Sequence, residues 1–461
     1  MTTDDSTTGD SLESYIAQLE ALARRLGLDH YPVDFELAPS SLMTEIAVYG
    51  LPIRMPHWSF GVRYIHQLVR QSMGHSRIFE VMFPGDPCHA YLMDGNTLAE
   101  NTLVTAHVLG HADFAKNNLL FARFHEQAGG NIIEMAAAHA RRIQQAIDEF
   151  GLKRVEAVLD AALALESHVD VDMELHRPPY PTRAPERKDP GAKDAFHERF
   201  DRLPTEAEPE QPPPEPQRLP LPPHPEHDLL WFIAQYGPDL EQWERDVFLA
   251  VRAEALYFYP VFACQIMNEG WASYWHARLL REAEFLPQPL YLSAIKSHSD
   301  VVRPYASGEQ SALAINPYHL GFTIWEHLVE KHGMERARQI CRDEDDFGFV
   351  RNYLDRDLAE KMDLFTYVAK SDGEIRVAAR DLDAIREAIL APRFNYGAPR
   401  IAVTEQRLDG SLVLAHEHQS DGRGLDAARA RKVLEYIHRV WRRPVQMNTV
   451  DASGDALELA S

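Results

Sequence analysis

The sequence predicts a mainly α-helical protein that ends in a small α+β domain. Three observations predict it. Apolar residues recur at helical spacing from residue 11 to about 170, and again from 227 to about 368. A proline-rich stretch separates the two runs, with 15 of the chain's 30 prolines between Pro178 and Pro225. Beyond about residue 370 short strand-like runs alternate with two amphipathic helical patterns.

Residues 1–10 are polar and acidic and are expected to be disordered. Residues 11–28, SLESYIAQLEALARRLGL, open the first helical part (11–170). Asp10 followed by Glu13 suits a capping box at its start. Further helices are expected near 60–74, over 97–115 and through NIIEMAAAHARRIQQAIDEFGLKRVEAVLDAALAL, with a strand-like or loop segment RIFEVMFPGDPCHAYLM among them. Residues 171–226 are rich in proline and charge and poor in large apolar residues, so they form a linker or insert and not a domain.

The second helical part (227–368) contains INPYHLGFTIWEHLVEKHG. There Asn316 suits an N-cap, Pro317 a first helical position and Gly333 a stop. In the last part (370–455) EIRVAA reads as a strand and DLDAIREAILAPR as a helix capped by Asp381. RIAVTEQRLDGSLVLAHE reads as a hairpin turning at Asp409-Gly410, LDAARARKVLEYIHRVW as a helix and PVQMNTV as a strand. That order, β-α-β-β-α-β, is ferredoxin-like.

Composition excludes several classes of function. The chain has 461 residues, 45% hydrophobic and 25% charged, with a formal net charge of −23. So acidic a chain is not expected to bind nucleic acid or an anionic membrane, and no apolar run reaches membrane-spanning length, so no membrane insertion is expected. The three cysteines are far apart and form no CxxC. The N-terminus lacks a basic and apolar leader, which predicts a cytoplasmic, thiol-reduced protein. No phosphate-binding glycine loop and no GxSxG occurs.

Two stretches carry candidate chemistry. In NTLAENTLVTAHVLGHADFAKNN, His107 and His111 stand four apart on one helix face, the spacing at which two imidazoles share a metal. Gly110 between them admits a close neighbour. In CQIMNEGWASYWHARLL a carboxylate, Glu269, sits among aromatic residues, with His276 two turns on. A buried carboxylate needs a partner or a cation. Two histidines from one helix and a glutamate from another make a zinc ligand set with one open position, so His107, His111 and Glu269 are the candidate ligands of a divalent metal, zinc being expected. His276 is a fourth ligand, an outer partner or a proton donor. The alternative is an internal Glu269–His276 or Glu269–Arg pair that only fixes helix packing. Where HExxH peptidases carry a general base, this chain has Val108. Glu100, seven residues before His107, is the candidate replacement. His298, His319, Glu326 and the Lys116–Asn118 cluster are weaker candidates.

The segments AYLMDGNTLAENTLVTAHVLGHADFAKNN, CQIMNEGWASYWH and AINPYHLGFTIWEHL resemble the hallmark segments of the SpoVR (stage V sporulation protein R-like) family, over about residues 12–450. The resemblance implies a cytoplasmic bacterial protein connected with the peptidoglycan spore cortex or with a stress pathway. It also implies association with a PrkA-type serine kinase and a von Willebrand A-like protein. NEGWASYW is moreover similar to the EGWA-x-Y segment of gluzincin-type peptidases, whose glutamate is the third zinc ligand. The similarity implies a gluzincin-like pair of motif helices, with His107, His111 and Glu269 as ligands. The expected activity is that of a metal-dependent hydrolase of amide bonds, with Glu100 or His276 moving protons. The alternative is a non-catalytic regulator or scaffold working with the kinase.

Overall fold

The computed structural model describes residues 11–72, 79–173, 180, 221–303, 315–364, 366–369, 375–379, 381–451 and 453–461. The expected disorder of residues 1–10 and most of the proline-rich insert lie outside these. The chain divides into two compact units, one of residues 1–167 and 241–398, the other of residues 168–240 and 399–461.

The first unit is helical: α1 (Leu12–Arg25), α2 (Ser40–Tyr49), α3 (Trp58–Ser72), α4 (Leu98–Asn117), α5 (Leu119–Gln127), α6 (Ile132–Phe150) and α7 (Leu152–Ala164). The second unit contributes α8 (Leu229–Tyr236). The first then resumes with α9 (Gln242–Ala263), α10 (Gln265–Glu282), α11 (Gln288–Val301), α12 (Pro317–Asp343), α13 (Asp346–Tyr353), α14 (Arg356–Lys361) and α15 (Leu382–Leu390). A three-stranded sheet flanks the helices. Its strands β1 (Val33–Ala38), β2 (Glu80–Phe83) and β3 (Cys88–Met93) lie in the order β1-β3-β2, with β1 parallel and β2 antiparallel to β3. The segment from 77 to 93 thus supplies two strands, and β1 was not legible in the sequence.

At the centre of this unit α4 and α12 pack on α10. Residues Asn101 to Ala115 of α4 are all buried, so the helix has no solvent face and lies in the core. Its start is a capping box of Thr97 and Glu100. It stops at Asn118, whose extended backbone leaves the helix and whose side chain caps α5 by accepting from Leu120 N and Phe121 N. Helix α10 has no side-chain cap of its own. The buried carboxylate of Asp346, far along the chain, accepts from Ile266 N and Met267 N, each at 2.9 Å. Trp271, Trp275 and Trp325 fill the space between α10 and α12, each fully buried. Trp271 Nε1 donates to Asp113 Oδ2 and Trp325 Nε1 to the Met267 carbonyl.

Some local expectations hold and others shift. Asn316 caps α12 and Pro317 is its first residue. Gly333, with φ of 79° and ψ of 166°, is non-helical and stops the first helical run as expected, and a second run follows directly, within the bounds of α12, to Asp343. The cap of α1 is Ser11, accepting from Ser14 N; Asp10 lies outside the described residues. Asp381 caps α15 by accepting from Ala384 N.

The second unit is the small α+β part. Strands β6 (Ile401–Gln406), β7 (Leu412–His416), β8 (Val445–Val450) and β9 (Ala456–Ala460) form one sheet in the order β6-β7-β8-β9, with α16 (Ala427–Trp441) between β7 and β8. Strands β4 (Thr366–Ala369) and β5 (Ile375–Ala379) pair with each other in the first unit. The hairpin turns at Asp409-Gly410 as expected: Gly410 has φ of 86° and Asp409 accepts from Ser411 N. The ferredoxin-like connectivity is corrected. EIRVAA pairs with β4 outside the four-stranded sheet, and α15 is held in the first unit by Arg386, which donates to the Leu354 carbonyl. The vacant strand position is taken by β9, paired antiparallel to β8. The unit therefore resumes at 399 and not 370. Its core packs Phe232 of α8 against Trp441, whose Nε1 donates to the Gly410 carbonyl.

Candidate metal centre

Helices α4 and α10 approach closely because of a glycine. A Cβ on Gly110 would lie 2.7 Å from the Ala272 Cα. A second contact of this kind joins α10 and α12, where a Cβ on Gly270 would lie 2.3 Å from the Gly321 carbonyl carbon. Backbones this near leave no room for side chains at the crossing. They bring the residues beside each glycine together.

Those residues are His107, His111 and Glu269. Glu269 Oε2 lies 3.4 Å from His107 Nε2 and 3.5 Å from His111 Nε2. The three ligand atoms lie within 4.8 Å of one another. Glu269 Oε2 is buried and makes no hydrogen bond. An orphaned anionic oxygen at that depth is costly.

The outer contacts define where the lone pairs point. His111 Nδ1 lies 2.8 Å from Asn268 Oδ1. A carbonyl oxygen only accepts, so His111 Nδ1 carries the proton and its Nε2 keeps a free lone pair. His107 Nδ1 lies 2.9 Å from His276 Nδ1, and His276 Nε2 makes a short contact with His298 Nδ1. Of the two proton chains that satisfy both contacts, the one running from His107 Nδ1–H to His276 and from His276 Nε2–H to His298 is the one that leaves His107 Nε2 free for a cation. Two imidazole lone pairs and a carboxylate oxygen then converge with no proton between them. That donor set fits a divalent cation such as zinc with one position open.

Electrostatics tie the three groups together, and in the absence of a cation they favour a proton shared between His111 and Glu269. Burial alone would raise the Glu269 pKa, but His111 and His107 hold it well below the carboxylate range. Burial, then the neighbouring His111, lowers His107. Burial opposes charge on His111 too, but the Glu269 carboxylate overrides it and the net shift is upward. His276 is driven well below its ordinary value by burial and by the histidines around it, so it is a neutral link. His298 is lowered to about 4 by burial, Arg281 and His107.

The candidate residues divide sharply. His107, His111, Glu269 and His276 come together, and the weaker candidate His298 joins them from α11. Glu100 does not join them. Its carboxylate accepts from Thr97 N at 2.7 Å and Thr97 Oγ1 at 2.9 Å, two helical turns from His107. Glu100→Gln is therefore expected to cost about 1 kcal/mol or less in urea unfolding and to leave metal content unchanged. A loss of bound metal in that variant would return Glu100 to the site. His319 is bonded to the Val302 carbonyl, Glu326 is exposed, and Lys116 pairs with Asp29. Asn117 donates to the Asp29 and Asp113 carbonyls, and Asn118 to those of Cys341 and Glu344.

Sequence reasoning missed Glu80, Tyr318 and Asn268. Burial and the charge of Glu269 push the β2 carboxyl of Glu80 up to about 7, with His111 pulling against them. Tyr318 stacks on His107 at 6.1 Å between centroids, and Glu269, then burial, hold its hydroxyl well above its ordinary value. A lone acid in the apolar run FEVMF was the available signal for Glu80. No local signal placed Tyr318.

Comparison with known proteins accounts for nearly the whole chain. Residues 6–397 match the family model described as SpoVR like protein, and residues 399–452 match the SpoVR-like C-terminal domain. The border between them coincides with residue 399, where the second unit resumes. The chain is 28% identical over 489 aligned residues to the uncharacterized protein YcgB of Escherichia coli (strain K12), covering 97% of this chain and 93% of that protein. No solved structure matches. With both models placed end to end on one chain, and with the segments that carry His107, His111 and Glu269 lying inside the first, the protein belongs to the SpoVR family.

Proposed function

We propose that the protein is a metal-dependent hydrolase acting on amide bonds, with His107, His111 and Glu269 holding a divalent ion, zinc by preference. The observation that carries this reading is the convergence of three potential ligand atoms, one of them the orphaned Glu269 Oε2. A divalent ion bound there supplies Lewis acidity and a water acidic enough to react near neutral pH. This chain's own residues supply the rest. Asn268 and His276 hold the two ligand imidazoles in orientation. Glu80, poised at about 7, takes the proton of the attacking water and delivers it to the leaving amine. It does from β2 what the second residue of an HExxH helix does elsewhere, where this chain has Val108. Tyr318, neutral at working pH, offers a hydrogen-bond donor to the developing oxyanion.

The SpoVR family name and the resemblance support a cytoplasmic role in sporulation, in peptidoglycan or in a stress response, beside a PrkA-type kinase and a von Willebrand A-like protein. The gluzincin likeness of NEGWASYW supports the ligand assignment. A second reading, the scaffold working with that kinase, is favoured by one observation: Val108 is fully buried in the helix core, so the usual base position faces away from chemistry.

The test is turnover by zinc-loaded protein on peptidoglycan fragments and protein amides. Glu80→Gln is expected to reduce kcat by about 10²–10⁴-fold and to abolish the pH limb near 7, while metal content stays at the wild-type level. Zinc-loaded protein that turns over none of these substrates supports the scaffold.

A further inference from the structure

Helix α3 contributes no residue to the candidate metal centre and is amphipathic in the wrong sense. Its inner side is held by Phe60, which is buried, while Tyr64 and Gln67 are half-buried. Its outer side is apolar. Ile65 is 63% exposed, Trp58 54%, Val62 49% and Leu68 42%. Trp58 Nε1 donates to Asp160 Oδ1 at 2.8 Å, which fixes the indole at the start of that outer face. A run of four large apolar side chains over three turns exceeds the scattered exposure of an ordinary surface.

Charge says what the face is for. From Ile46 to Phe79 there is no Asp or Glu, although the chain carries 70 of them in 461 residues. The same stretch holds Arg54, Arg63, Arg70 and Arg77. Arg54 is buried against Glu254, so Arg63, Arg70 and Arg77 make the segment basic. An exposed apolar helix face with an indole at its end, in a stretch of sequence that carries arginines and no acidic residue, is the pattern of a helix that lies in the plane of an anionic bilayer. All the acidic residues behind the chain's net charge of −23 lie outside this stretch, and their charge is screened over about 8 Å at physiological salt. A second copy is a poor occupant, since two such faces would bring arginines against arginines.

We propose that α3 is a peripheral docking surface for anionic lipid, entering the headgroup region by Trp58, Val62, Ile65 and Leu68 without spanning the bilayer. No single helix among the described residues is long and apolar enough to cross one.

Flotation of the full chain with vesicles tests this. Binding is expected to vesicles of phosphatidylcholine with one quarter phosphatidylglycerol, and to be at least tenfold weaker with phosphatidylcholine alone or in 0.5 M salt. Ile65→Asp and Arg63→Glu are each expected to weaken it at least tenfold while thermal unfolding and metal content stay unchanged. Both positions are exposed, so the fold should tolerate them. Absence of binding to the anionic vesicles overturns the proposal, as does equal binding to both vesicle types. So does a concentration-dependent dimer in light scattering that Ile65→Asp abolishes, which would give the face to a second copy.

Discussion

Protein purified without an affinity tag is expected to carry close to one equivalent of zinc, and His107→Ala, His111→Ala and Glu269→Ala are each expected to lose it. The reason is the donor set. Glu269 Oε2 lies 3.4 Å from His107 Nε2 and 3.5 Å from His111 Nε2, and it makes no hydrogen bond. Outer partners of metal ligands typically contribute about 10–100-fold to affinity. Removing a ligand itself should exceed that, and Asn268→Leu should fall within it. Elemental analysis and competition with a zinc chelator measure both. Glu269→Gln separates the two explanations of the cluster. If the trio is only an ion pair, this variant loses stability and the wild type carries no metal at any loading. If the trio is a metal centre, the variant loses metal and the wild type gains thermal stability on zinc addition.

Gly270→Ala is expected to destabilise the first unit by about 3 kcal/mol or more, at the upper end of overpacking costs. The new Cβ would stand 2.3 Å from the Gly321 carbonyl carbon and 2.5 Å from its Cα. Backbone cannot rotate away as a side-chain end can, so α10 and α12 must part. Gly321→Ala should be as severe, since its Cβ would meet the Ile266 carbonyl oxygen at 2.0 Å. Gly110→Ala, with 2.7 Å to the Ala272 Cα, should cost about 1–3 kcal/mol. Urea unfolding measures the series. A Gly270→Ala protein with an unchanged midpoint would show that the crossing is looser than described. Because Glu269 precedes Gly270, the same substitution should weaken zinc binding even in the folded fraction.

These two expectations show how much the sequence contained. The convergence of His107, His111 and Glu269 was legible because each half carries a local anomaly: two imidazoles one turn apart on a buried helix, and an acid in an aromatic one. Caps were legible for the same reason. Asn316, Asp381 and the Asp409-Gly410 turn act on neighbours two or three residues away. Glu100 was misplaced because its seven-residue spacing from His107 fits both a shared helix face and a capping box with Thr97. The hydrogen bonds of the N-terminus decided for the cap.

What the sequence determined by itself is the set of local choices: helices, turns, caps and the two motifs that each lack a partner. Periodicity and hydrogen bonding within a few residues are written in the order of the chain. What only the tertiary structure decided is which distant groups share one space. Asp346 caps α10, β9 displaces the expected first strand of the small sheet, and Glu80, Tyr318 and Asn268 complete the centre. The physical reason is that these interactions depend on helix crossings set by three glycines, where backbone contact, and no pattern along the chain, fixes what lies beside what.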